Sequence, residues 1–243
     1  MIKVQSAKDH RANRLLAALE PEDFADLEPH LEFVHLHQRQ VLCETGDTMR
    51  HAYFPHDTVI SLLAVMADGS SAEMSLCGRE GVSGLVNASV SRKAFGCYVV
   101  QFPGTASRID LDTMTAAITA RPNLQRVLRH FTEATMARIL QSVACNALHS
   151  VEARCCRFVL MLHSRIDHDA LPITHEFLAE RLGVQRSTVS SVMGKLQSRG
   201  LIKQGRGGII VTDPSRLEDA ACECYGRVRD VYERLLPYAT HSR

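Results

Sequence analysis

Residues 123–149 form the stretch that most limits how this chain can fold, because they contain no Pro or Gly. A helix of about 25 residues is about 40 Å long, which exceeds what is needed to cover a small domain. Its apolar residues lie on more than one face, and such a helix usually buries two surfaces. We expect one face to pack within the chain and the other against a second copy; a helix buried inside a single chain is the alternative. The apolar residues are Leu124, Val127, Leu128, Phe131, Met136, Ile139, Leu140, Val143 and Leu148.

The segment that precedes this helix has a different pattern of apolar and turn-forming residues. From Leu31 to about Leu111, short apolar or alternating runs such as FVHLH, VISLLAVM and CYVVQF are separated by turn residues such as TGD, ADGSS and FPGT. Many short runs at close spacing are typical of antiparallel sheets. The segment therefore predicts a small β-roll or sandwich, and the chain as a whole an α+β fold.

The overall composition excludes several classes of protein. The 243 residues are 45% apolar and 23% charged with a net charge of +1, so the chain is neither disordered nor basic throughout. A nucleic-acid site must then be a local patch. No apolar run approaches the roughly 20 residues of a membrane span, and the N-terminus has no signal-peptide pattern. We expect a cytoplasmic protein whose eight cysteines are mostly buried thiols. Of the adjacent Cys155 and Cys156, which fall in a predicted helix, one should face inward and the other outward.

Two short helices are predicted at 175–182 and 186–199, joined by a glycine turn. Thr174 is a suitable N-cap, and Gly183 can adopt the positive φ that ends the first helix. The second helix has a single apolar stripe, which we expect to be buried. The stripe consists of Val189, Val192, Met193 and Leu196.

The face opposite this stripe carries small hydroxyls and amides where a solvated helix usually carries Glu and Lys. Arg and Gln side chains read guanine and adenine edges, and Ser and Thr bind bases or phosphates. Six basic residues and no acidic residue occur between Arg181 and Thr212, which suits phosphate binding. The glycine-rich segment from Lys203 to Val211 is expected to form a wing. The predicted DNA-contacting residues are Thr174, Gln185, Arg186, Ser187, Thr188, Ser191, Lys195 and Arg206.

The sequence ITHEFLAERLGVQRSTVSSVMGKLQSRGLI, followed by GRGGIIV, resembles the Crp/Fnr family of bacterial transcription regulators. The resemblance covers nearly the whole chain, because the family has a β-roll sensor, a long dimerisation helix and a winged helix-turn-helix in that order. It implies that Arg186 reads bases, with Gln185, Ser187 and Ser191 at neighbouring contact positions and Thr188 at a phosphate. Ser187 stands where many members have an acidic base reader, so the preferred site should differ from theirs.

The resemblance also implies partners and a division of the chain. Double-stranded DNA, a second copy of the chain and RNA polymerase are the expected partners, with no membrane and no enzymatic activity. The expected parts are an N-terminal helical segment (1–30), a β-roll sensor domain (31–112), a dimerisation helix region (113–149), a winged helix-turn-helix domain (150–213) and a C-terminal helix (214–243).

The signal that acts on the sensor is not evident from the sequence. Members that bind cyclic AMP have a Gly-Glu pair and, about ten residues later, an Arg followed by Ser or Thr. The corresponding region GVSGLVNASVSRKAFG has Arg92 and Lys93 but lacks the carboxylate, so cyclic AMP is not expected, although the two cations suit another anion. Iron–sulfur members need an N-terminal cysteine cluster, and no cysteine precedes Cys43.

Two pairs of residues have a spacing that suits metal binding. Cys145 and His149 are four residues apart on the long helix and offer half a site, and His35-x-His37 places two imidazoles on one face of a strand. Cys222 and Cys224 lie near the C-terminal helix, where an exposed thiol beside Arg residues would be sensitive to oxidation. No complete ligand set is evident, so no metal site is expected. The alternative function is a cupin-like protein whose β-domain binds a metal or small molecule that gates DNA binding. That segment offers four histidines without a recognisable spacing, namely His35, His37, His51 and His56.

Overall fold

The computed structural model describes residues 9–85, 91–166, 170–205 and 208–237. These residues form two compact units. The first contains the described residues up to Ser61 together with Leu76–Thr132, and the second contains Leu62–Ser75 and the described residues from Glu133 onward. No helix among the described residues is long and apolar enough to cross a membrane.

The N-terminal helical segment is split into short pieces around a buried asparagine. Asn13 accepts hydrogen bonds from the amides of Leu15 and Leu16 and donates to the carbonyls of Pro55 and Gly81. Its side chain therefore begins α1 and fixes it against the first unit. The pieces are 3-10 turns at His10–Ala12 and Glu28–His30, α1 at Arg14–Ala17 and α2 at Pro21–Leu27. Their predicted apolar residues are buried: Leu15, Leu16, Leu19, Phe24 and Leu27.

Among the described residues, seven short strands follow, as the alternation of apolar runs and turns predicted. They are β1 Glu32–Leu36, β2 Val41–Cys43, β3 His51–Pro55, β4 Val59–Val65, β5 Ser71–Cys77, β6 Cys97–Phe102 and β7 Gly104–Asp110. One sheet has the order β1-β7-β3 and the other the order β2-β6-β4-β5. The pairs β1·β7, β3·β7 and β2·β6 are antiparallel. The expected α+β class with antiparallel N-terminal strands is confirmed.

Two helices lead out of the sheets. Asp110 caps α3, Leu111–Ala120, by accepting from the amides of Asp112 and Thr113. Pro122 then begins α4, which runs to Leu148 over 27 residues without a break. In the first unit, the Phe131 ring of α4 lies so close over Gly81 that a Cβ there would be 2.0 Å from the ring. That close approach needs glycine.

The second unit adds five helices and a small sheet among its described residues. The helices are α5 Val151–His163, α6 His175–Leu182, α7 Arg186–Ser198, α8 Pro214–Asp219 and α9 Cys224–Leu235. The strands are β8 Ala170–Leu171, β9 Ile202–Gly205 and β10 Gly208–Val211, in the order β8-β10-β9.

Two sequence-based expectations are corrected in this unit. The C-terminal segment was expected to be one helix after Pro214, but it is broken between α8 and α9 at Ala220–Glu223. Cys155 and Cys156 were expected to face opposite ways, one inward and one outward, yet both are fully buried. The reason is that α5 packs against α6, α7, α8 and α9, so it has no solvent-facing side at these positions.

Candidate nucleic-acid interface

The turn between α6 and α7 has the local structure that its sequence predicts. The Thr174 hydroxyl accepts the amide of Phe177 and caps α6. Gly183 ends α6 with φ +65°, in the left-handed region that a residue with a Cβ adopts at a cost. The predicted stripe of α7 is buried, so the opposite face of the helix is fixed towards solvent.

That opposite face, together with the residue before α7, is termed the recognition face. Its members are Gln185, Arg186, Ser187, Thr188, Ser191 and Lys195, and all of them are exposed. Gly194 also lies on it, and nothing would lie within 4 Å of a Cβ added there. Small side chains between longer ones leave room for another surface to approach the helix closely.

Arg186 is paired with an acidic residue that the sequence pattern did not place beside it. Glu176 of α6 accepts from the Arg186 guanidinium, and both side chains are 65% exposed. Exposed ion pairs of this kind contribute about 0–1 kcal/mol, so the guanidinium exchanges partners easily. The run from Arg181 to Thr212 is free of acid in sequence, but the surface around Arg186 is not.

Arg181 was counted among the basic residues of the DNA-binding patch, and that interpretation is wrong. Its side chain is only 12% exposed and forms an ion pair of 2.8 Å with the buried carboxylate of Glu73. The guanidinium also donates to the Glu73 carbonyl and lies 4.9 Å from the centre of the Phe158 ring. Burial lowers the pKa of Arg181, and the Glu73 carboxylate opposes that effect. Arg181 is a structural cation of the second unit.

The wing strand β9 is held on the two helices by polar side chains that sequence reasoning missed. His175 contacts the Ser190 hydroxyl at 2.9 Å through Nδ1 and the Gln204 Oε1 at 2.7 Å through Nε2. Gln197 accepts the amide of Gln204 at 2.8 Å. Because these bonds join α6, α7 and β9, they fix the wing relative to the recognition face. The sequence signal for this contact was a polar residue, His175, next to the N-cap of α6. Its partners lie 15 and 29 residues away, so the sequence did not identify them.

The wing itself pairs in register as an antiparallel hairpin, with Gly208 opposite Gly205. Gly208 has φ +133°, and a Cβ there would lie 2.0 Å from the Leu171 carbonyl oxygen. Glycine is therefore required where β10 passes β8. Arg206, the predicted contact at the wing tip, lies outside the described residues.

The long helix presents an apolar stripe to solvent in the second unit. Met136, Leu140 and Val143 are 52%, 62% and 66% exposed. Their spacing of four and three residues is that of the contact positions of a coiled coil. Leu124, Leu128 and Phe131 are buried. The helix thus has a buried set and an exposed set of apolar residues, as its sequence predicted.

The two cations proposed for an effector lie at the edge of the first unit and already have partners. Arg92, with φ +55°, forms an ion pair of 2.5 Å with Asp112, and Lys93 donates to the Thr48 hydroxyl at 3.0 Å. An anion would have to displace Asp112 from Arg92. The assignment of Arg92 and Lys93 to an effector site stays a prediction.

The histidines of the β-domain do not form a ligand set among the described residues. His35 and His37 are exposed, and His35 lies edge-on to Phe33. His56 is buried and contacts the Ser107 hydroxyl at 2.8 Å, as His10 does at 2.7 Å. Burial, assisted by the nearby His10, lowers the pKa of His56 to about 4. His56 is therefore a neutral core residue at ordinary pH.

A different group of potential ligands comes together in the second unit. Cys145 and His149 meet Cys222 and Cys224, and one ligand atom from each lies within 4.8 Å of the others. In the part of the chain that the structure describes, this is the one group of three or more such residues in close proximity. The sequence indicated only Cys145 and His149 as half a site, because Cys222 lies 77 residues further along the chain.

Comparison with known proteins identifies the helix-turn-helix and the fold. Residues 153–220 match a family model described as a Crp-like helix-turn-helix domain. Comparison with curated proteins gives no match.

Three solved structures share the fold at low sequence identity. FixK2 from Bradyrhizobium japonicum has a TM-score of 0.70 and 14% identity, covering 79% of this chain and 98% of that one. A transcriptional regulator of the Crp/Fnr family from Eubacterium rectale has a TM-score of 0.63 and 16% identity, covering 86% and 98%. CLP from Xanthomonas campestris, a c-di-GMP responsive global regulator, has a TM-score of 0.61 and 16% identity, covering 79% and 99%.

Proposed function

The chain carries a Crp-like helix-turn-helix domain and has the fold of Crp/Fnr-family regulators, and from this premise we propose that it is a transcription regulator that binds DNA as a homodimer. The observation that carries the proposal is the recognition face. Five exposed residues with hydroxyl or cationic side chains share one side of a helix whose other side is buried, and the exposed amide of Gln185 stands at its N-cap. This arrangement is suited to the major groove, where base edges offer both donors and acceptors.

Each member of the recognition face has a chemical role in this proposal. Arg186 and Gln185, at the leading end of α7, reach base edges, since a guanidinium binds guanine O6 and N7 in a bidentate manner. Ser187 and Ser191 contact bases at close range, and Thr188 and Lys195 bind phosphates. Thr174 caps α6 and its exposed position suits a phosphate as well. When the Arg186 guanidinium binds a base, its ion pair with Glu176 breaks.

The apolar stripe of α4 supports pairing of two chains. An exposed row of Met136, Leu140 and Val143 has the spacing with which two helices interlock. Two recognition helices related by the pair's two-fold axis would enter successive major grooves, about 34 Å apart, on a near-palindromic site. The first unit is the proposed sensor, and a signal acts there only if it binds two states of the protein with different affinity.

The base-reading role of Arg186 is tested by comparing two exposed cations of α7. A binding site is first selected from a pool of random duplexes with the full chain, and affinities are then measured by fluorescence anisotropy at several salt concentrations. Arg186→Ala should weaken binding to the selected duplex by about 1–3 kcal/mol, or about 5–150-fold, and leave binding to random duplex nearly unchanged.

Lys195→Ala serves as the matched variant. It should weaken binding to both duplexes alike and reduce the slope of log affinity against log salt by about 1. Small and equal effects of the two substitutions on both duplexes would contradict the proposed roles.

Pairing through α4 is tested separately by sedimentation velocity. Leu140→Glu places a charge in the middle of the apolar stripe and should shift the protein from dimer to monomer. Val41→Glu, at another exposed apolar position, is the control and should leave the dimer intact. Equal sedimentation of wild type and both variants would argue against the stripe as the interface.

A further inference from the structure

The buried cluster formed by Cys145, His149, Cys222 and Cys224, termed the Cys–His cluster, has no part in the proposed DNA contacts. Cys145 lies in the last turn of α4, and His149 follows that helix with its amide bonded to the Cys145 carbonyl. Cys222 lies between α8 and α9, and Cys224 begins α9. All three thiols are buried, and Ala153 of α5 packs against them. The cluster thus joins the end of the long helix to the C-terminal helices within the second unit.

The distances in the cluster are those of ligands around one tetrahedral ion. The sulfurs of Cys145 and Cys222 are 3.4 Å apart, and the Cys224 sulfur is 3.5 Å from His149 Nδ1. Zinc bonds of about 2.3 Å to sulfur and about 2.0 Å to nitrogen give tetrahedral edges of about 3.5–3.8 Å. With all four ligand atoms within 4.8 Å of one another, the space fits a single ion and is too small to surround an iron–sulfur cluster.

Neighbouring side chains hold the ligands as metal ligands are usually held. His149 Nε2 is 3.2 Å from the Glu223 carboxylate, which leaves Nδ1 directed at the cluster. A carboxylate on the far nitrogen fixes the ring and its tautomer in many zinc sites. The Gln141 amide donates to the Cys224 sulfur at 3.0 Å and so fixes the position of that sulfur. Three free thiols beside a half-buried histidine would need neither contact.

Burial and one guanidinium act on the charge of the thiols in the cluster. Burial raises the pKa of Cys145 to about 12 and also raises the pKa of Cys222, so these thiols hold their protons when no cation is near. The Arg157 guanidinium opposes the rise in the pKa of Cys145. A divalent cation would displace the protons, and Arg157 would offset the negative charge that three thiolates leave on the complex.

We propose that Cys145, His149, Cys222 and Cys224 bind one divalent ion of the zinc class in tetrahedral geometry. The ion would bind α9 and the residues before it to the end of α4, beside Ser150, which caps the first helix of the DNA-binding domain. A disulfide between Cys145 and Cys222 is the competing use of these thiols. It would involve two of the four residues and would leave Cys224, His149 and Glu223 without a role.

Cobalt(II) is the spectroscopic probe for the test, because it binds such sites in place of zinc. The full chain is prepared without an affinity tag under reducing conditions, its metal content is measured, and the metal-free protein is titrated with cobalt. We expect one cobalt per chain, the visible spectrum of a tetrahedral complex, and a sulfur-to-cobalt charge-transfer band with the intensity of three thiolates. Failure to bind cobalt, cobalt binding without that band, or a Cys145–Cys222 disulfide in protein purified without reductant would overturn the proposal.

Three variants separate ligation from general damage to the fold. Cys222→Ala should lose one third of the charge-transfer intensity or the site altogether, whereas Cys156→Ala removes a buried thiol outside the cluster and should titrate like wild type. Glu223→Gln changes an exposed side chain and should weaken cobalt binding about 10–100-fold. Equal loss in Cys156→Ala and Cys222→Ala, or unchanged affinity in Glu223→Gln, would count against the site. This outcome is independent of DNA binding, which the Arg186 and Lys195 variants test.

Discussion

The recognition face and the Cys–His cluster both gather polar side chains with a defined chemistry, but the chain assembles them differently. Every member of the recognition face lies within eleven consecutive residues, and its placement follows from one buried stripe on the same helix. The cluster combines the end of α4 with residues 77 positions further along the chain. The first arrangement is fixed by the period of a helix, whereas the second exists only after α5, α8 and α9 have packed.

Two arginines five residues apart show the same contrast within one sequence motif. Replacing each of them by methionine should give the largest difference in the free energy of unfolding. Arg181→Met removes the cation that faces the buried Glu73 carboxylate, and should lower the free energy of unfolding by about 3–5 kcal/mol. Arg186→Met, at an exposed pair, should change it by no more than about 0.5 kcal/mol. Urea unfolding of both variants measures the difference, and equal values would show that Arg181 is not held as described.

A buried histidine of the first unit gives the next largest effect. The folded-state pKa of His56 is about 4, below its usual value of 6.5, so protonation favours the unfolded chain. This stabilisation is complete above pH 6.5 and is lost as the pH falls towards 4, at a cost of roughly 2 kcal/mol when residual solvent screening is allowed for. Between pH 7 and pH 4.5, the midpoint of urea unfolding should decrease more in the wild type than in His56→Gln. A parallel fall in both proteins would assign the acid sensitivity elsewhere.

The N-cap of α6 should contribute less to the free energy of unfolding than these buried groups. It depends only on residues that are close in sequence, so it represents the local kind of arrangement. Thr174→Ala should lower the free energy of unfolding by about 1 kcal/mol, since the Phe177 amide loses its acceptor. Thr174→Ser keeps the hydroxyl and should retain most of the stability. If the alanine and serine variants unfold alike, the hydroxyl is not the stabilising group.

The smallest effect is expected at the exposed ion pair between Glu176 of α6 and Arg186 of α7. Glu176→Gln should leave stability within about 0.5 kcal/mol, because the pair is exposed. It should tighten binding to DNA by about 2–5-fold, since a free guanidinium and one fewer negative charge then face the duplex. Anisotropy measurements at low salt resolve a change of this size. Weaker binding by the variant would mean that Glu176 positions Arg186 for its base.

Local patterns were sufficient for much of the fold and most of the recognition face. The seven strands, the bounds of α6 and the turn at Gly183 follow from alternation, spacing and glycine chemistry that neighbouring residues contain. The exposure of Gln185 and Ser191 followed from the stripe on the far side of α7. These features are decided before distant segments meet, which explains why the sequence predicts them.

Two of the expectations that were wrong concern residues whose surroundings come from far along the chain. Arg181 was placed on the surface because its sequence neighbours are basic, yet its partner is 108 residues away. Cys156 was given an outward face because α5 was treated alone, without the helices that surround it. A single sequence does not show which distant segment covers a given helix. For the same reason, it does not show that Cys145 and Cys222 lie side by side.

If the apolar stripe of α4 pairs two chains on DNA, as proposed, the protein would respond steeply to its own abundance. Because pairing of two chains is bimolecular, doubling a dilute population of chains would raise the number of pairs up to fourfold. Promoter occupancy would then rise more steeply than synthesis, and residual chains left after synthesis stops would separate and leave the operator. The exposed side chains of Met136, Leu140 and Val143 would in this way set the lowest copy number at which the cell responds.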